Sequence, residues 1–225
     1  MRAARRPRVK VCCIQSPSEA RLAVAAGAAA LGLVSQMPSG PGVIDEDEIA
    51  RIAAEVPPPV ASFLLTSRRD PEEIAAQQRR TGVSTVQVCD RLEDGSHAWL
   101  RSRLPGIALV QVVHVEGEEA LAEALGVAAG VDAILLDSGR PSLAVKELGG
   151  TGRRHDWSVS RRIREALEVP IFLAGGLTPD NVAEAVESVG PFALDVCSGV
   201  RTDGALDPAK LERFFAALAQ VAAAE

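Results

Sequence analysis

The chain has 225 residues, of which 47% are hydrophobic, and a formal net charge of -6. This length supplies one sizeable core, in one large α/β domain or two small ones. The acidic balance argues against a nucleic-acid partner, because no basic field would attract phosphate backbones. No apolar run approaches the length of a membrane span, and four cysteines are too few for a disulfide scaffold. We therefore expect a cytoplasmic protein without nucleic-acid or membrane partners.

The chain opens with four arginines in residues 1–8, which indicate a basic, flexible tail, and residues 9–225 form a single predicted domain. Short β-branched runs then alternate with longer stretches rich in Ala, Glu and Arg, as in repeated strand–helix units with a parallel sheet. The predicted strands cover residues 9–14, 30–34, 60–65, 85–89, 107–115, 132–137, 169–174 and 192–197.

Helix signals follow most of these strands. Proline in the first turn and a closing glycine predict helices within residues 16–27, 70–82 and 178–190, and residues 207–222 form the last helix. The helical pattern is weakest at residues 94–104. Eight strand–helix units in about 215 residues predict an α/β protein with a single closed (β/α)₈ TIM barrel, with an open doubly wound sheet as the alternative.

Three glycine-rich segments lie where strands or loops end, at residues 149–152, 174–176 and 197–199. Glycine lets a backbone approach a phosphate closely and turn its N–H groups toward the oxygens. In these barrels a phosphate site commonly forms from the loops after the last two strands, although a single glycine often serves only a tight turn. The predicted phosphate-binding residues are Gly150, Gly152, Gly175, Gly176, Ser198 and Gly199, and the predicted ligand is a small phosphorylated metabolite.

Cys12 and Asp137 end two of the strands and could divide acid and base work at the mouth of a barrel. In water neither group has the protonation state that this needs, so the site would have to favour the thiolate and the protonated carboxyl group. Cys12 and Cys13 should point to opposite faces of a strand, so we expect at most one inside the barrel. Taken alone, either cysteine would more often be a small core residue. Zinc binding by the pair is disfavoured because no His/Cys set accompanies it.

Four blocks resemble phosphoribosylanthranilate isomerases in order and spacing: "VKVCCIQSPSEARLAVAAGAAALGLV", "ILLDS…GGTGRRHDWS", "IFLAGGLTPDNVAEAV" and "PFALDVCSGV". The resemblance implies a (β/α)₈ barrel and the Amadori rearrangement of N-(5-phosphoribosyl)anthranilate in tryptophan biosynthesis. It also implies that Cys12 is the general base and Asp137 the general acid, that the last two loops bind phosphate, and that Cys13 replaces a glycine. The substrate would be a small phosphorylated sugar, and no cofactor or metal is expected.

The resemblance fails in the half of the site that would receive the anthranilate. Pro41 lies near the position of the family's arginine, whose guanidinium holds the carboxylate, and Cys89 and Asp90 replace a His-Gly pair. Candidate substitutes in this half are Cys89, Arg140, Lys146, His155 and His114. Three hypotheses stay open: this isomerase with a rebuilt carboxylate contact, a related isomerase for another phosphoribosyl compound, and a non-catalytic phosphate-ligand binder. We expect a monomer, with a dimer as the alternative.

Overall fold

The computed structural model describes residues 7–149 and 152–221. Eight parallel strands pair in chain order and close into a barrel, because the last strand pairs with the first. They are β1 (Arg8–Val11), β2 (Ala30–Val34), β3 (Ala61–Thr66), β4 (Thr85–Val88), β5 (Ala108–His114), β6 (Ala133–Asp137), β7 (Ile171–Leu173) and β8 (Ala193–Val196). The predicted (β/α)₈ barrel is confirmed.

A helix follows each strand. The helices are α1 (Pro17–Ala26), α2 (Glu46–Glu55), α3 (Pro71–Thr81), α4 (Ser96–Arg103), α5 (Glu119–Ala128), α6 (Trp157–Ala166), α7 (Val182–Val189) and α8 (Pro208–Val221). The hydroxyl of Ser16 caps α1 by accepting from the backbone N–H of Glu19, and Gly27 ends it in a left-handed conformation. The weakly predicted fourth helix is present as α4.

Most strand boundaries differ from the sequence prediction by one or two residues, and the first strand differs most. The first strand begins at Arg8, the last residue assigned to the tail, and residues 1–6 lie outside the described residues. It also ends at Val11 instead of residue 14, because Cys13 has a φ of 61°, which no strand residue adopts. After β8, a 3-10 turn leads into an unpredicted hairpin of β9 (Arg201–Thr202) and β10 (Ala205–Leu206).

Inward- and outward-facing side chains alternate along the strands and divide the core into layers. On β1, Val9 and Val11 pack outward against helices, whereas Lys10 is directed into the barrel. The barrel interior is filled mainly by apolar side chains such as Phe63, Val112 and Phe172. Among the described residues, no helix is both long enough and apolar enough to cross a membrane.

Candidate active site

A cavity opens at the carboxyl ends of the barrel strands, where the side chains of parallel strands converge. Of the predicted site residues, the following line it: Cys12, Asp137, Gly152, Gly175, Gly176 and Ser198. Cys12 follows β1, Asp137 ends β6, and the others come from the loops after β6, β7 and β8. The structure thus brings the proposed base, the proposed acid and most of the predicted phosphate-binding segments into one place.

The Cys12 thiol has a buried ion pair beside it. The ammonium group of Lys10, which is 0% exposed, lies 2.9 Å from Oδ1 of Asp195 and 3.6 Å from Sγ of Cys12. Lys10 and Asp195 are register partners on β1 and β8, so the strand pairing itself places them together. Gly32 on β2 leaves space for the Cys12 side chain, since a Cβ at position 32 would lie 2.7 Å from the Cys12 sulfur.

These neighbours shift the protonation of Cys12. The Cys13 thiol, hydrogen-bonded to the Cys12 sulfur, lowers the pKa of Cys12, and the Lys10 ammonium lowers it further. Burial and the Asp195 carboxylate oppose this by raising the pKa, and the net direction is downward. The environment therefore favours the thiolate that a base at this position would need.

Cys13 also lines the cavity, which corrects the expectation that only one of the two cysteines would be inside. Strand alternation does not extend to Cys13, because β1 ends at Val11 and the backbone at Cys13 is left-handed. Its side chain packs against Gly42, where a Cβ would come within 2.5 Å of the Cys13 Cβ. The contacts of Cys13 with Cys12 and Cys197 raise the pKa of Cys13.

Asp137 is held at the rim by the chain that follows it. Its Oδ1 accepts a hydrogen bond from the backbone N–H of Ser138 at 2.7 Å. Its Oδ2 faces Gly149, which has a φ of 128° and where a Cβ would lie 2.6 Å from that oxygen. Glycine at position 149 therefore allows the loop after β6 to fold closely over the carboxyl group.

The glycine-rich loops form one wall of the cavity. Gly176 has a left-handed backbone, and a Cβ there would lie 2.9 Å from the carbonyl oxygen of Gly152. Gly199 packs against the Leu177 carbonyl, where a Cβ would come within 1.9 Å of the oxygen. The glycines are thus required for the close approach of the three loops, and phosphate binding there stays a prediction. Gly150 lies outside the described residues.

The described residues that line the cavity with Cys12 do not include the three tentative aglycone residues Cys89, Arg140 and His155. Cys89 is 1% exposed in the barrel core, where burial raises its pKa to about 12. Arg140 and His155 line a separate pocket, formed mainly by residues of the segment between β6 and α6. The Nε2 of His155 is hydrogen-bonded to the hydroxyl of Ser160, and burial lowers the pKa of His155 to about 4. The spacing of these residues in the sequence had not indicated that Arg140 and His155 line a different pocket from Cys12.

Five of the residues that line the cavity have large apolar side chains or a proline ring. They are Val34, Met37, Pro41, Leu65 and Leu148. The loops after β2 and β6 meet here, because the hydroxyl of Ser39 donates to the carbonyl of Lys146 at 2.7 Å. The ammonium group of Lys146 lies 2.5 Å from Oδ2 of Asp90, so an ion pair fastens the same loop to the end of β4.

Three buried polar residues of this region were not predicted from the sequence: Lys10, Gln87 and Asp195. Gln87 lines the cavity, is 3% exposed, and its Oε1 has no hydrogen-bond partner among the described residues. The available signal was a polar residue within an otherwise apolar strand, at a position that alternation directs inward. Among the described residues, no group of three or more His, Cys, Asp or Glu side chains could hold a metal ion.

The fold and this cavity define a (β/α)₈-barrel protein with a thiol and a carboxyl group at the C-terminal rim. The sequence profile of the N-(5'-phosphoribosyl)anthranilate (PRA) isomerases matches residues 9–217. The chain is 35% identical over 209 residues to such an isomerase from Methanocella arvoryzae, covering 92% of this chain and 95% of the relative. It is 40% identical over 199 residues to one from Haloarcula marismortui, covering 88% of each.

Solved structures agree with the sequence comparison. The phosphoribosyl anthranilate isomerase of Thermotoga maritima superposes with a TM-score of 0.80 at 30% identity, covering 95% of this chain and 99% of that one. Another structure of this kind, in complex with reduced 1-(o-carboxyphenylamino)-1-deoxyribulose 5-phosphate, has a TM-score of 0.77 at 28% identity, with the same coverage. The chain belongs to the N-(5'-phosphoribosyl)anthranilate isomerase family.

Proposed function

We propose that this protein isomerises N-(5-phosphoribosyl)anthranilate to 1-(2-carboxyphenylamino)-1-deoxyribulose 5-phosphate, a step of tryptophan biosynthesis. Family membership supports the reaction, and a related structure holds a reduced form of this product. The observation that carries the assignment is that Cys12 and Asp137 line one cavity, with an environment that favours the Cys12 thiolate. A protein that only bound a phosphorylated ligand would need neither group.

In the proposed mechanism Asp137, in its protonated form, donates to the furanose ring oxygen. The C1–O bond breaks, and the ring opens to an iminium ion at C1 of the ribose. The positive nitrogen acidifies the C2 proton, which the Cys12 thiolate removes to give an enolamine. The enolamine then takes up a proton at C1 and loses the proton of its C2 hydroxyl group, which gives the ketose. Binding the phosphate in the glycine-rich loops would keep the sugar in register with both groups.

The substrate's aromatic ring would occupy the apolar part of the cavity near Met37, Leu65 and Leu148. This part supports a second candidate function as well. Pro41 lies there among apolar residues, near the position where the resembling family carries its carboxylate-binding arginine. An isomerase for a phosphoribosyl compound with a different, less acidic aglycone would use the same acid, base and phosphate site.

Two measurements test the proposal: conversion of N-(5-phosphoribosyl)anthranilate by the purified protein, and growth of a tryptophan auxotroph that lacks this isomerase. We expect conversion and growth with the wild type. Cys12→Ser and Asp137→Asn should each lower kcat by about 10²–10⁴-fold, the usual contribution of a general acid or base, with little change in phosphate-dependent binding. Matched controls are Cys89→Ser, in the barrel core, and Asp132→Asn, which ion-pairs with Arg101.

The outcomes separate the two candidates. A folded protein that neither converts the substrate nor restores growth contradicts the first function and leaves the second to be tested with other phosphoribosyl amines. If Cys89→Ser lowers kcat as much as Cys12→Ser does, the assignment of the base is wrong. The phosphate assignment is tested by replacing Gly176 with a bulky residue, which should weaken phosphorylated ligands far more than their dephosphorylated forms.

A further inference from the structure

Two cysteines outside the proposed acid–base pair meet where the barrel closes. Cys13 follows β1, Cys197 follows β8, and these two strands are hydrogen-bonded neighbours. Their sulfurs lie 2.6 Å apart, and both are free thiols. Because the bond length of a disulfide is about 2.05 Å, covalent bonding requires the sulfurs to approach by only about 0.5 Å.

The backbone around Cys13 is fixed in a way that keeps its side chain at this position. The guanidinium group of Arg201 donates to the carbonyl oxygen of Cys13 and to both carboxylate oxygens of Glu19. Arg201 is 8% exposed, so this arrangement is buried. On the other side, Gly42 packs closely against Cys13, and a Cβ at position 42 would lie 2.5 Å from the Cys13 Cβ. The pair of sulfurs is therefore preorganised by contacts that do not involve either thiol.

The two thiols differ in their access to solvent. Cys197 is partly exposed, whereas Cys13 is 4% exposed. A small oxidant from solution therefore reaches Cys197 first.

We propose that Cys13 and Cys197 form a redox-active thiol pair, which a peroxide converts to an intramolecular disulfide that lowers the activity of the enzyme. The Cys197 thiolate attacks the O–O bond of hydrogen peroxide and becomes a sulfenic acid, and the second oxygen leaves as water. The Cys13 sulfur then attacks the sulfenic sulfur, and the S–O bond breaks with release of a second water. Two thiols are oxidised and one peroxide is reduced to two waters.

The disulfide would act on the site through two changes. Cys13 would lose the S–H group that now bonds to the Cys12 sulfur, which removes the largest influence that favours the Cys12 thiolate. It would also tie the end of β1 to the residue that precedes Ser198. Only this loss of activity rests on the proposed function, because the disulfide itself forms or fails to form whatever the substrate.

The test treats the fully reduced protein with hydrogen peroxide and maps disulfides by mass spectrometry of tryptic peptides. The diagnostic product links peptide 11–21 to peptide 165–201. We expect it in the wild type and in Cys12→Ser, and we expect it to be absent from Cys13→Ser and Cys197→Ser. Isomerase activity, expressed relative to each protein's own reduced form, should fall in the wild type and return with dithiothreitol, and should resist mild oxidation in Cys197→Ser.

Three results would overturn the proposal. The first is the absence of the cross-linked peptide in the oxidised wild type. The second is its presence in Cys13→Ser, which would show that Cys12 is the true partner of Cys197. The third is equal loss of activity in Cys197→Ser and the wild type, which would place the oxidation at Cys12. Peptide mapping decides the first two even if the protein has no isomerase activity, so failure of the proposed function would be seen separately.

Discussion

Replacing Lys10 by Met removes the positive charge beside the proposed base and leaves a carboxylate buried without its partner. At the 2.9 Å that separates Nζ from Oδ1 of Asp195, the attraction is about 6 kcal/mol with an effective dielectric constant of about 20. Desolvation of both groups offsets part of this, and breaking one side of a buried pair costs about 3–5 kcal/mol. We expect Lys10→Met to lower the free energy of unfolding by that amount at pH 8.

The loss of stability in Lys10→Met depends on pH because Asp195 can become neutral by taking up a proton. Burial raises the pKa of Asp195, and the Lys10 ammonium opposes this, so the pKa rises further without Lys10. Protonating an ordinary aspartate, with a pKa of about 3.9, costs about 1.4 kcal/mol for each pH unit above that pKa. The free energy needed to neutralise the carboxyl group is therefore about 6 kcal/mol at pH 8 but only about 1.5 kcal/mol at pH 5. The folded variant then binds a proton that the unfolded chain lacks, so its stability falls as pH rises.

Denaturant unfolding of wild type, Lys10→Met, Asp195→Asn and the double variant at both pH values measures this effect. The difference between Lys10→Met and wild type should shrink to about 1.5 kcal/mol or less at pH 5. At pH 8, adding Asp195→Asn to Lys10→Met should restore most of the lost stability, because no unpaired charge remains. A cost at pH 8 below about 1 kcal/mol, or one that is equal at the two pH values, would refute the reasoning.

Three further predictions concern the two adjacent cysteines. In denaturant unfolding, Gly42→Ala should destabilise the protein more than Gly82→Ala does. Both glycines have left-handed backbones, which cost alanine about 1–2 kcal/mol, but only at Gly42 would the added Cβ meet Cys13, at 2.5 Å. Equal losses of stability in the two variants would contradict that packing. Gly32→Ala should lower kcat by about 10-fold or more with KM nearly unchanged, because its Cβ would displace the Cys12 sulfur; a change in KM alone would contradict this. The alkylation rate of Cys12, followed against pH by peptide mapping, should have its midpoint below 8.5, which is about the ordinary pKa of a cysteine thiol. A higher midpoint would show that burial raises the pKa of Cys12 more than the neighbouring groups lower it.

The barrel could be predicted from sequence because its strands and helices have different apolar periods, and each unit is short and local. The predicted second strand, residues 30–34, agrees with the structure at both ends. The hairpin of β9 and β10 was missed although Asp203 and Gly204, a common two-residue turn pair, lie between its strands. Its strands have two residues each, too few for an alternating pattern to be visible.

By itself, the sequence indicated that Cys12 and Asp137 lie near the carboxyl ends of two strands, and closure of a parallel barrel necessarily brings such ends to one rim. It did not determine which side chains meet across that closure. Lys10 and Asp195 are separated by 185 residues, and only the pairing of the last strand with the first brings them together. The side-chain direction of Cys13 was decided by a left-handed backbone that close packing against neighbouring loops imposes, and no local pattern in the chain reports such packing.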